Sequence, residues 1–131
     1  MKIEEIAFSC YALTDMPAAR GFYEGILGLK PSHVAEKAEG SWVEYEIGPH
    51  TLSIGCAPGW NPSPDGCTVA LEVDDFDDAI AHLRRHDVKF RIEPFPTPVC
   101  QMAMIFDPSG NSVCIHKRKT IGEAVAAPAV S

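Results

Sequence analysis

Apolar and polar residues alternate along short runs of this chain, and in two places they repeat at helical spacing. Residues 3–13 alternate as a strand. The stretch 18–27 places apolar residues three and four apart, which predicts a helix with Asp15 as N-cap and Gly28 as a left-handed C-terminal cap. Three more runs predict strands, at about residues 30–36, 41–47 and 51–56.

The second half of the chain repeats this order after a segment rich in proline and glycine at residues 58–66, which predicts a linker. Residues 68–73 alternate as a strand, and Asp74 and Asp75 provide N-cap chemistry for a helix over 76–86. Three strands are then predicted near residues 90–93, 102–106 and 112–116. Residues 120–131 have neither strand nor turn signals, so we expect a mobile tail.

The pattern of strand, helix and three strands therefore occurs twice, with a period of about 60 residues. We expect an α+β fold of two βαβββ modules that form a curved mixed sheet, with the helices on its convex side and a cleft on its concave side. The predicted organisation is one domain over residues 1–119, with module one at about 1–58 and module two at about 66–119.

Composition narrows the function classes. The 131 residues carry a formal charge of −7, which argues against nucleic-acid and anionic membrane partners. No apolar run is long enough for a signal peptide or a membrane span. Five cysteines without a Cys-x-x-Cys pair are typical of free thiols in a reducing compartment, so we expect a cytoplasmic protein.

Three segments carry a resemblance to a known family. They are Thr14-Asp-Met-Pro-Ala-Ala-Arg-Gly-Phe-Tyr-Glu-Gly-Ile-Leu-Gly-Leu29, Val69-Ala-Leu-Glu-Val-Asp-Asp75 and Phe106-Asp-Pro-Ser-Gly-Asn111. In this order and spacing the chain resembles the vicinal oxygen chelate superfamily over about residues 4–118. That superfamily includes glyoxalase I, extradiol dioxygenases, fosfomycin-resistance enzymes and bleomycin-binding proteins. The resemblance implies the two-module fold, a small organic ligand and a homodimer.

In the metal-dependent members of that superfamily, the first and last strands of each module supply one ligand each, and these ligands are His, Gln or Glu. Counting along the motifs puts three of the corresponding positions at Phe8, Thr68 and Cys114. The remaining position falls on the strand at residues 51–56, whose register the sequence leaves open, and Ser53 is the candidate there. A phenyl ring coordinates nothing, neutral hydroxyls are poor ligands for a divalent cation, and a single thiol would stand alone. We therefore expect neither the divalent metal site of the family nor any other cofactor.

Strand alternation gives candidate residues for the cleft. Those expected to contact a ligand are Phe8, Cys10, Trp42, Thr68, Gln101 and Cys114. Trp42 and Glu44 belong to this face only if the even positions of their strand point inward, which the sequence leaves open. Phe8 and Trp42 offer aromatic surface, although the same residues also suit ordinary core packing.

His116 and Glu72 share the predicted cleft phase of the second module. An imidazole oriented by a carboxylate is suited to proton transfer near neutral pH, so the two are candidate catalytic residues. An ion pair at a strand end is the structural alternative. The sequence thus leaves open a metal-independent binding protein, a lyase or isomerase that uses this pair or a rearranged metal site, and an accessory module with a structural role.

Overall fold

A computed structural model describes residues 1–120, so the predicted tail lies outside the described residues except for Thr120. The described chain contains eight strands and two α-helices in the predicted order of two βαβββ modules. The first module comprises β1 (Ser9–Ala12), α1 (Met16–Arg20), a π-helical segment (Gly21–Ile26), β2 (Pro31–Lys37), β3 (Gly40–Ile47) and β4 (His50–Cys56). The second module comprises β5 (Val69–Glu72), α2 (Phe76–Arg85), β6 (Phe90–Pro96), β7 (Cys100–Phe106) and β8 (Ser112–Arg118).

The strands form two four-stranded mixed sheets, one in each module. Their orders are β1-β4-β3-β2 and β5-β8-β7-β6. In each sheet the first strand pairs in parallel with the last, while the remaining pairs are antiparallel. This arrangement follows from the connections, because a parallel neighbour needs a helical crossover whereas hairpins join antiparallel neighbours. The hairpin turn between β3 and β4 contains Gly48, which has a positive φ of 58°.

The first helix begins as predicted, since the Asp15 carboxylate accepts a hydrogen bond of 3.0 Å from the backbone N–H of Ala18. It then changes to π geometry at Gly21. The predicted helix over 18–27 is therefore present, but from Gly21 onward its hydrogen bonds follow π geometry, in which each N–H bonds a carbonyl five residues back instead of four. Gly28 follows with a φ of 75°, the left-handed conformation expected of it.

A buried core covers one face of the first sheet. Tyr23, in the π segment, stacks between Tyr11 of β1 and Tyr45 of β3, with ring centroids 6.3 and 6.2 Å apart. The Tyr45 hydroxyl donates to the Glu24 carboxylate at 2.9 Å. These contacts identify the odd-numbered face of β1 and β3 as the helix side of this sheet.

The second module is built in the same way. Asp75 caps α2 by accepting a 3.0 Å hydrogen bond from the N–H of Asp78. α2 packs against β8. Ala103 and Ile105 of β7 and Val113 and Ile115 of β8 are buried, as are Ile80 and Leu83 of α2. Register places these four strand residues on one face, since Ala103 pairs with Ile115 and Ile105 with Val113.

Two compact units divide the described chain, one formed by residues 1–63 with 108–111 and the other by 64–107 with the described residues from 112 onward. The strand predicted over 3–13 is observed only at Ser9–Ala12, and the side chains of Ile3 and Ile6 are exposed. The reason is that the partner strand β4 pairs only with residues 9–12. Across residues 1–120, neither helix has the length and apolar character that crossing a bilayer requires.

Candidate functional site

The face opposite the helix is formed by the even-numbered residues of β1 and β3 and by their odd-numbered neighbours on β4 and β2. Register places Cys10 beside Ser53 and Ser53 beside Glu44, so the three form a row across β1, β4 and β3. Trp42 lies beside Gly55 in the adjacent row. The strand phase that the sequence left open is thus settled, because Trp42 and Glu44 lie on the predicted ligand side.

Three aromatic side chains meet on this face, and we call Phe8, Trp42 and Trp60 the aromatic cluster. Phe8 meets Trp42 edge to face with ring centroids 5.4 Å apart, and Trp42 meets Trp60 at 6.0 Å. Phe8 and Trp60 remain 49% and 46% exposed. Aromatic rings contribute most to binding where they are rigid and accessible, and this cluster combines packing with exposure.

Trp60 reaches the cluster from the segment that the sequence predicted to be a linker. Its ring lies over Gly55, where an added Cβ would come within 2.5 Å of the Trp60 ring and 3.1 Å of the Trp42 ring. Only a residue without a side chain permits this close approach to the strand. The linker interpretation therefore missed Trp60, and an aromatic residue within a Pro/Gly-rich segment was the only available signal.

Polar groups lie beside the rings. The Trp42 indole N–H donates to Glu44 Oε2 at 2.8 Å, which fixes the indole plane relative to the carboxylate. Ser53 is fully buried, and its Oγ has no hydrogen-bond partner within residues 1–120. A buried hydroxyl without a partner carries a desolvation cost, and such groups are rare in native structures.

The Cys10 thiol completes the row. Although the residue as a whole is exposed, desolvation of its sulfur raises the thiol pKa to about 11. At neutral pH the thiol is therefore protonated and is a weak nucleophile. Its hydrogen bond goes to the neighbouring carbonyl oxygen of Tyr11 at 3.6 Å. This environment does not activate the Cys10 thiol as a nucleophile.

In the second module, register gathers a different set on the face opposite α2. Glu72 lies beside His116 and Ala70 beside Cys114 on the β5/β8 pair. Met102 and Met104 of β7 pair with His116 and Cys114 from the other side. The sequence interpretation did not include these methionines, because an unbranched apolar residue in a strand carries no signal for a site.

His116 and Glu72 are in direct contact. Nδ1 of His116 lies 2.5 Å from Glu72 Oε1, and the second carboxylate oxygen accepts the backbone N–H of Arg118 at 2.7 Å. Burial raises the pKa of the Glu72 carboxyl, but the hydrogen bonds from Arg118 and His116 outweigh it and hold the pKa below its usual range. Nε2 of His116 is left available to a ligand, and the arrangement suits both proton transfer and a structural ion pair.

The remaining predicted residues of this module are dispersed. Cys114 is buried, and burial together with the nearby Cys100 sulfur raises its thiol pKa. Thr68 is exposed and precedes β5. Gln101 pairs with Lys117 and alternates with Met102, so it lies on the face opposite to His116. The structure therefore does not bring Gln101 together with the other candidates.

The positions equivalent to a metal site can be tested for fit. Register makes Ser53 and Cys114 equivalent, since each lies beside the second residue of its module's first strand. With Phe8 and Thr68, the four positions provide no imidazole and no carboxylate. Among residues 1–120, no three His, Cys, Asp or Glu side chains cluster in a way that could hold a metal ion. This donor set does not fit the divalent cation of the metal-dependent relatives.

The model of the glyoxalase/bleomycin resistance protein/dioxygenase superfamily matches residues 3–115. An uncharacterized protein of Escherichia coli K12, YaeR, is 33% identical over 96 residues, which cover 63% of this chain and 73% of YaeR.

Two solved structures illustrate the structural likeness. TnmS3, an antibiotic-binding protein of Streptomyces sp. CB03234, superposes with a TM-score of 0.73 at 23% identity, covering 91% of this chain and 99% of TnmS3. The trypanothione-dependent glyoxalase I of Leishmania major gives a TM-score of 0.74 at 21% identity, covering 94% and 93%. One of these proteins binds an antibiotic and the other is an enzyme, so at this level of identity the likeness establishes the fold alone.

Proposed function

The chain belongs to the glyoxalase/bleomycin resistance protein/dioxygenase superfamily, and from this membership we propose that it binds a small organic molecule on the aromatic face of its first module without a divalent metal. The observation that carries the proposal is the aromatic cluster. Two of its three rings are about half exposed although they pack against a third. An apolar surface of this kind on a sheet face is a common basis for ligand binding.

Independence from metal is part of the proposal. It is supported by the chemistry of Phe8, Ser53, Thr68 and Cys114, which cannot provide a set of hard or borderline ligands. The expected result is that protein treated with a chelator binds its ligand as well as untreated protein does. Stoichiometric metal in the purified protein, lost together with binding on chelation, would contradict this part of the proposal.

A titration with acridine tests the binding surface. Acridine is planar and is uncharged at mildly alkaline pH, so calorimetry would report ring stacking without a charge contribution. We expect Trp60→Ala to weaken binding about tenfold, since one stacked aromatic pair is worth about 0.5–1.5 kcal/mol beyond its buried area. Phe95→Ala is the matched control, because Phe95 is an exposed aromatic residue of the second module. Equal effects of the two variants, or no binding at all, would contradict the proposal.

An acid–base enzyme is the second candidate function, and the contact of 2.5 Å between His116 and Glu72 favours it. In such a lyase or isomerase His116 would move a proton at Nε2 while Glu72 holds Nδ1. His116→Ala separates the candidates: loss of turnover with unchanged ligand affinity indicates an enzyme. If the variant keeps both turnover and affinity, His116 is not part of the site.

The cellular setting is part of the same proposal. The five free cysteines support a reducing compartment such as the cytoplasm, and the family resemblance supports a homodimer. Sedimentation equilibrium of the full chain would measure the mass directly. A monomer across the micromolar range would contradict the dimer.

A further inference from the structure

Building on the proposed function, we infer that the ligand of the aromatic face is a planar aromatic cation, with Glu44 and Ser53 as its polar partners. The inference concerns the chemical class of the ligand and uses two observations besides the rings. One is the Glu44 carboxylate beside Trp42, and the other is the buried Ser53 hydroxyl, which has no partner among residues 1–120.

Glu44 provides the charge. Oε2 is engaged by the Trp42 indole N–H, whereas Oε1 has no partner in the described part of the chain. A carboxylate held at the edge of an indole is a counter-ion for a ligand whose ring stacks on that indole. The electron-rich faces of tryptophan also favour a cationic ring over an anionic one. Both features therefore favour a positively charged ligand ring.

The row that contains Glu44 has one basic side chain, which is His33 of β2. Glu44 has Ser53 as its neighbour on β4, and Cys10 beyond Ser53 is a protonated thiol at neutral pH. Lys37 shares the face but lies at the far end of β2, opposite Gly40. The Glu44 carboxylate contacts the rings directly, 2.8 Å from the Trp42 indole nitrogen.

The Ser53 hydroxyl is the acceptor for a hydrogen bond from the ligand. It is directly opposite Glu44 across the antiparallel pair, where side chains are about 5 Å apart. One nitrogen group of a ligand can thus reach both the Ser53 Oγ and the free oxygen of Glu44. The unpartnered hydroxyl costs the free protein stability, and a ligand N–H that donates to it would remove that cost.

Phe8 controls access to this pair of groups. Because β4 lies between β1 and β3 in the sheet, the contact between Phe8 and Trp42 passes over β4 on the Ser53 face. Phe8 is half exposed and precedes β1 in a segment without regular structure, and on binding its ring would give way to the ligand. The ligand ring then stacks on Trp42 in the space that Phe8 leaves.

Three probes test the charge preference: 9-aminoacridine, which is a cation at neutral pH, acridine, and anthracene-9-carboxylate, which is an anion. Calorimetric titration of the full chain should rank them in that order, with 9-aminoacridine at least tenfold tighter than the anion. Glu44→Gln should weaken 9-aminoacridine about tenfold and acridine less than about twofold. The amide oxygen can still accept the Trp42 indole N–H, so the ring geometry is kept.

Glu36→Gln is the matched control, because it changes the net charge equally but lies on the opposite face of the same sheet, beside Ser41. It should leave the binding of all three probes unchanged. If acridine binds but the cation gains nothing over the anion, or if Glu44→Gln and Glu36→Gln behave alike, the inference is overturned while the proposed function stands. If none of the probes binds, the proposed function fails.

Discussion

Ser53→Ala should make the protein more stable and a poorer binder at the same time. The Ser53 Oγ is fully buried without a partner within residues 1–120. A buried unsatisfied polar group costs about 1–3 kcal/mol, and removing a single oxygen leaves only a small void. We therefore expect a gain of about 1 kcal/mol in the free energy of unfolding, or a rise in Tm of about 3–6 °C for a domain of this size.

Ser112→Ala is the matched control for this experiment. Ser112 is also a buried serine on a strand, but its Oγ accepts a hydrogen bond of 2.6 Å from Arg91 and donates to the Pro64 carbonyl at 3.0 Å. Its removal breaks both hydrogen bonds, one of them to a charged guanidinium, and should destabilise the fold by about 1–3 kcal/mol. The two serine variants are thus expected to differ in sign.

Urea unfolding followed by far-ultraviolet circular dichroism measures both variants without using tryptophan emission, which belongs to the candidate site. Calorimetry with 9-aminoacridine then gives the affinity, which should fall about two- to tenfold in Ser53→Ala as one hydrogen bond is lost. A destabilised Ser53→Ala protein with unchanged affinity would refute the reasoning, since the hydroxyl would then serve the fold and not the ligand.

Three further outcomes follow from particular contacts. Gly55→Ala should displace the Trp60 ring, which lies 2.5 Å from the new Cβ, and weaken acridine binding several-fold in calorimetry with little change in urea midpoint. Tyr45→Phe removes a donor to the Glu24 carboxylate and should cost about 1.5–3 kcal/mol of unfolding free energy in urea. The pKa of Glu72 lies below its usual range, so its contribution to stability is present above about pH 4.3 and is lost as the pH falls further. The stability gap between wild type and Glu72→Gln should accordingly close in acid denaturation curves, and a gap that widens there would contradict this assignment.

Much of the fold could be predicted from the sequence because its signals are local. Asp15 and Asp75 act as the caps that their positions indicated, since an N-cap depends only on residues three positions away. The π segment after Gly21 could not be predicted in this way. Tyr23 of this segment packs between two tyrosines of the sheet, a contact between distant parts of the chain that no local pattern encodes.

The candidate site was predicted less completely, and the reason is again physical. Strand alternation was sufficient to place Phe8 and Cys10 on one face, but it left the register of Ser53 open. It could not show that Trp60 folds back from an irregular segment, because the direction of a loop is set by the surface it covers. Nor could it show that the Ser53 Oγ lacks a partner within residues 1–120, since hydrogen bonding of a buried side chain depends on the neighbouring strands.

The most direct measurement is the response of the two tryptophan indole N–H resonances to acridine. Trp42 and Trp60 are the only tryptophans in the chain, and both lie in the aromatic cluster, so nitrogen-edited NMR of chelator-treated protein observes the proposed site with two assignable signals. We predict that both resonances shift together and saturate with one dissociation constant equal to the calorimetric value. Binding measured by calorimetry while both indole signals remain unmoved would contradict the central claim that this face holds the ligand.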